Sequence, residues 1–77
     1  MKENIIELIR ILGKGYNELV FSFEIDGVKF DSIEWCVDED IILLHIFEDD
    51  ETDKSCDFEN IDIDKQIKIY NLLLSLN

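Results

Sequence analysis

The chain has 77 residues, 47% of them hydrophobic, no proline, and a formal net charge of −12. That length suits one small domain spanning residues 1–77, and that apolar content suits a packed core rather than a disordered chain. The charge argues against direct binding to nucleic acid or an anionic membrane surface, and it favours basic partners or cations.

Residues Lys2 to Leu12 place Ile5, Ile6, Leu8, Ile9 and Leu12 on one helical face, with Lys2, Glu3, Glu7 and Arg10 mainly on the other. Glu7 and Arg10 interrupt the uninterrupted apolar run that a signal peptide requires, so the expectation is a cytoplasmic protein with reduced thiols at Cys36 and Cys56. Gly13 is the predicted helix terminator, in the left-handed conformation that glycine adopts without steric penalty.

Glu18 to Ile25 alternates: Leu19, Phe21, Phe23 and Ile25 share one face, Glu18, Val20, Ser22 and Glu24 the other. Asp26-Gly27 predicts a two-residue type I′ hairpin turn. Val28 to Val37 forms the second strand. Its apolar phase moves from even positions (Val28, Phe30) to odd ones (Ile33, Trp35, Val37), which predicts a bulge near Asp31-Ser32.

Asp38-Glu39-Asp40 makes an acidic turn, and Ile41 to Phe47 forms a third strand that is apolar on both faces. Its apolar run ends at Leu44, far short of a membrane span. After an acidic loop, Ser55 to Glu59 adds a short fourth strand with Cys56 and Phe58 inward. Ile61-Asp62-Ile63-Asp64 opens a last helix running to Leu76, with Asp62 as N-cap and Ile61 as a hydrophobic staple. Its expected buried face is Ile63, Ile67, Tyr70, Leu73 and Leu74, widened by Ile69 and Leu76.

The fold class is therefore α+β: an N-terminal helix, an antiparallel sheet of three to four strands, and a C-terminal helix. The doubly apolar third strand favours one helix on each sheet face. If both helices share a face, the other face is exposed and a homodimer is the simplest way to bury it.

Between Asp38 and Asp64 lie twelve of the nineteen acids but only one of the seven bases. Asp38, Glu39 and Asp40 sit at one end of the third strand, and Glu48, Asp49, Asp50, Glu51 and Asp53 follow the other. A seven-residue strand separates the two groups by roughly 23 Å. These acids are the candidate binding residues, steering and rimming contact with a basic protein. The reading that charge runs more often support is a plainer one, in which the acids are solubilising gatekeepers around a very apolar strand. A sharper reading is mimicry of nucleic acid, in which carboxylates replace phosphates in the groove of a DNA- or RNA-binding protein.

Other chemistry finds little support. An EF-hand needs glycine at its sixth position and glutamate at its twelfth; counting from Asp49 these are Lys54 and Asn60, and from Glu48 they are Asp53 and Glu59. One histidine and two separated cysteines are poor material for zinc, so no metal and no cofactor are expected. A small enzyme pairing Cys36 or Cys56 with His45 is disfavoured because acidic surroundings raise a thiol pKa. Gly13-Lys14-Gly15 follows a helix rather than opening one, unlike a phosphate loop. Phe21, Phe23, Phe30, Trp35 and Phe47 lack the basic residues of a single-strand-binding platform and are read as core. The sequence thus points to a non-enzymatic protein-binding domain.

Overall fold

The computed structural model describes residues 1–47 and 54–77. Helix α1 (Lys2–Leu12) precedes strands β1 (Glu18–Ile25), β2 (Val28–Cys36), β3 (Ile41–Ile46) and β4 (Lys54–Asp57). A 3-10 turn (Phe58–Asn60) then leads into helix α2 (Ile63–Leu76). The four strands form one antiparallel meander in the order β1-β2-β3-β4. This is the α+β order expected from the alternating and helical periodicities. Phe58, expected in the fourth strand, instead lies in the turn after it, where it is fully buried.

The Asp26-Gly27 turn has positive φ at both positions, 51° and 86°, as a type I′ hairpin requires. It sets Ile25 opposite Val28. The β2–β3 pairing slips between Phe30 and Ser32, which is the expected bulge at Asp31. A second slip, in β1 between Val20 and Phe23, had no signature in the alternation. At the β2–β3 turn Asp40 is left-handed at φ 55°, a conformation that aspartate tolerates better than most residues.

The end of α1 differs from expectation in its chemistry. Gly13 is not left-handed (φ −84°). Instead Lys14 takes the left-handed position at φ 56°. The Gly15 N–H donates to the Arg10 carbonyl at 2.7 Å and the Lys14 N–H to Ile11 at 3.3 Å, the two bonds of a Schellman terminator. Gly13 is required by space: a Cβ there would lie 2.7 Å from the Ile9 carbonyl oxygen and 2.8 Å from that of Glu18. The chain turns so closely into β1 that no side chain fits.

Both helices pack on the same face of the sheet, contrary to the expectation of one on each side. Ile5, Leu8 and Ile9 of α1 and Ile69 and Leu73 of α2 join Phe23, Ile25, Phe30, Ile33, Ile42, Leu44 and Phe58 in a single buried cluster. Residues that face one another across strands share a sheet face, and the pairs Phe23–Phe30 and Ile33–Leu44 put all four on the helix side. Phe21, Phe23 and Phe30 stack in sequence, with centroids 4.7 and 5.0 Å apart. Trp35 packs against the cluster's margin, whereas Phe47 is not core; it lies beyond β3 and is 52% exposed.

Helix α2 buries only part of the face its spacing suggested: of the expected set, Leu73 and Ile69 are in the core and Tyr70 packs at its margin. Ile69 and Leu73 are buried, flanked by Tyr70 and Leu72, while Ile63 (59%), Ile67 (42%) and Leu74 (42%) are exposed. Asp62 stands at the N-cap, but its side chain makes no capping bond; its carbonyl accepts from the Gln66 N–H at 3.0 Å.

Candidate functional site

With both helices on one side, the other face of the sheet is open. The register builds it row by row. Glu18, Glu34, Leu43 and Asp57 form one row across all four strands, and Val20, Ser32, His45 and Ser55 the next. Cys36 opposite Ile41 closes one end. At the hairpin end Glu24 faces Lys29, and these two help line an open pocket with Ser22, Phe23, Phe30 and Phe47. The face is thus an apolar and hydroxyl centre ringed by carboxylates, with Val20 73% exposed at its β1 edge.

Two details give this face its chemistry. Glu18 and Glu34 sit directly opposite each other, and like charges so placed destabilise a sheet. His45 lies on the next row, and its Nε2 is 2.9 Å from Glu34 Oε1. One ligand atom from each of Glu18, Glu34 and His45 falls within 4.8 Å of the others. The alternation of the first strand placed Glu18 on the face opposite Leu19, Phe21 and Phe23, but nothing in the sequence brought it together with Glu34 and His45.

The expected site acids fall into three groups. Asp38 and Glu39 are exposed on the β2–β3 turn, at the Cys36–Ile41 end of the open face. Asp40 is engaged within the fold: Lys2 Nζ lies 3.3 Å from Asp40 Oδ2 and 3.0 Å from Glu59 Oε1, and the Trp35 Nε1–H donates to Asp40 Oδ1 at 3.3 Å. The Lys2 ammonium, then the indole N–H, hold the Asp40 carboxyl below the usual carboxylate range. Glu59, then Asp40, raise the Lys2 pKa. One side chain thereby fastens the start of α1 to the β2–β3 turn and the 3-10 turn. Glu48, Asp49, Asp50, Glu51 and Asp53 lie outside the described residues.

Neither thiol is set up as a nucleophile. Burial raises the Cys36 pKa, and Glu34 and Glu39 raise it further. Burial also raises that of Cys56, aided by Asp57 and opposed by Lys65. Cys56 faces Leu44 on the helix side, away from His45. Cys36 shares His45's face but pairs with Ile41, four residues along β3, roughly 13 Å at strand spacing.

Among the described residues no helix is long and apolar enough to cross a membrane. Compared with known protein families, curated proteins and solved structures, the chain matches none.

Proposed function

We propose that this domain is a non-enzymatic protein-binding module whose open sheet face docks a basic partner. The observation that carries this reading is the one-sided placement of the helices. It leaves Val20, Ile41 and Leu43 uncovered by them, among the carboxylates of Glu18, Glu24, Glu34 and Asp57. Asp38 and Glu39 extend the negative rim at one end. Such rims raise association rates and select partners by sign, while the apolar centre supplies contact area. A second copy is a poorer occupant, because it would set the same carboxylates against each other. Direct nucleic-acid binding is opposed by the same field.

The test is capture from lysate with three tagged forms at matched concentration. One is wild type; one carries Glu18→Gln, Glu34→Gln and Asp57→Asn; one carries Glu3→Gln and Glu7→Gln on α1, away from the face. Basic proteins held by wild type and by the α1 variant, lost by the face variant, and released as salt is raised support the reading. Equal capture by all three forms defeats it. If the captured species bind DNA or RNA and free nucleic acid displaces them, the interaction is mimicry.

A further inference from the structure

We propose that Glu18, Glu34 and His45 form a binding site for one divalent transition-metal ion on the open sheet face. The three residues come from β1, β2 and β3, and the register brings their ligand atoms within 4.8 Å of one another. A tetrahedral or octahedral ion would draw them closer by small side-chain rotations.

Electrostatics supports a cation at this point. Glu18 and Glu34 are directly opposed across two strands in a chain of net charge −12. That placement costs sheet stability, and an ion between the carboxylates turns repulsion into attraction. The imidazole decides which ion. Magnesium and calcium take oxygen ligands almost exclusively, whereas a nitrogen donor beside carboxylates suits zinc and its first-row neighbours.

Binding exchanges one contact for another. His45 Nε2 lies at hydrogen-bonding distance from Glu34 Oε1, and an ion needs the Nε2 lone pair. Without an ion the Nε2–H donates to the Glu34 carboxylate; in the metal-bound state the ring carries its proton on Nδ1, and the Nε2···Oε1 contact becomes a nitrogen–metal–oxygen bridge. Glu18 is exposed and His45 and Glu34 only half-buried, so water can complete the coordination sphere.

The proposal is independent of the partner reading, and its test uses the full chain and metal alone. Zinc is titrated calorimetrically at neutral pH, and thermal melts are recorded with and without it. One site per chain is expected, with Tm rising by roughly 10–20 °C at a hundredfold excess over Kd. The effect should vanish in His45→Gln and Glu34→Gln and shrink in Glu18→Gln. It should survive in Cys36→Ser and in the Glu3→Gln, Glu7→Gln control, and magnesium should not reproduce it. His45 is the only histidine, so its ring proton resonances must move on addition of zinc. That readout, with the exposed Glu18→Gln variant, keeps the test sound if a variant at a half-buried position folds poorly. Equal stabilisation by zinc in His45→Gln, equal stabilisation by magnesium, or unmoved histidine resonances would each overturn the site and leave only diffuse attraction to acids.

Discussion

Adjacent residues at the end of α1 should respond to substitution with opposite signs. Gly13 has an ordinary φ of −84°, so alanine there is not strained by backbone conformation. The obstacle is contact: its Cβ would stand 2.7 and 2.8 Å from two backbone oxygens, Ile9 and Glu18. Neither can swing away as a side chain tip would, so either the last helical turn or the start of β1 must move. Overpacking of this kind costs about 1–3 kcal/mol. Restricting the unfolded chain returns about 0.4–1 kcal/mol, leaving a net loss of roughly 1–2 kcal/mol for Gly13→Ala. A domain of this size has about 4–12 kcal/mol in total, and 1 kcal/mol moves its Tm by about 4–8 °C. Lys14, by contrast, holds the left-handed position at φ 56°, at a cost of about 1–2 kcal/mol for a residue with a Cβ. Lys14→Gly removes that cost and adds about 0.5–1 kcal/mol of unfolded-state entropy, for a net gain of roughly 0.5–1 kcal/mol. Thermal and urea unfolding followed by circular dichroism measure both. A neutral or stabilising Gly13→Ala, or a destabilising Lys14→Gly, would refute the assignment of roles within the terminator.

Three further outcomes are expected. Leu73→Ala should cost about 2–5 kcal/mol, whereas Ile67→Ala, on the exposed side of α2, should change urea stability by less than about 1 kcal/mol; similar losses would mean the helix is rotated. Lys2→Met should lower Tm at neutral pH. Asp40 is held below its ordinary pKa, so its share of that pairing is present above about pH 4 and lost as pH falls through its folded value. Lys2 is held above its own, so its share is present below about pH 10 and lost as pH rises through its folded value. The gap in Tm between wild type and variant should therefore be flat across neutral pH and close toward both extremes; a gap that peaks near pH 6 would implicate another group. Iodoacetamide should label Cys36 and Cys56 more slowly than a free peptide thiol at pH 7.5, since burial and acids raise both pKa values; rapid labelling below pH 7 would revive the nucleophile reading.

Strand order and the hairpin were legible because their signals are local. Alternation along Glu18–Ile25, the Asp-Gly turn and the phase change at Asp31 each depend on a few neighbours. The α2 face was only partly legible, because the helix carries two apolar sets and the expected face spanned both. Ile63, Ile67, Tyr70 and Leu74 follow the 4-3-4 spacing, while Ile69 and Leu73 lie to one side. Periodicity admits both sets; docking against α1 and the sheet buries Ile69 and Leu73 and leaves Ile63, Ile67 and Leu74 outside. The Glu18–Glu34–His45 group was hidden for a sharper reason. Unbroken pairing outward from Asp26-Gly27 would set Glu18 opposite Trp35. One extra residue in β1 moves it opposite Glu34, and that bulge leaves the alternation of β1 undisturbed. Likewise, Asp40 could be recognised as a turn acid from sequence, but not as the partner of Lys2, thirty-eight residues away.

The meander has a kinetic consequence. Each strand pairs only with the strand next in sequence, so almost all sheet contacts close short loops. The meeting of α1 and α2, where Leu8 and Ile11 share a groove with Tyr70 and Leu74, joins the two ends of the chain, as does the Lys2–Glu59 ion pair. Short loops close early and long ones late. Substitutions in that groove should therefore accelerate unfolding and leave the refolding rate nearly unchanged, while substitutions in the β1–β2 hairpin should slow refolding. The lifetime of the folded protein is then governed by the helix pair and its rate of formation by the hairpin.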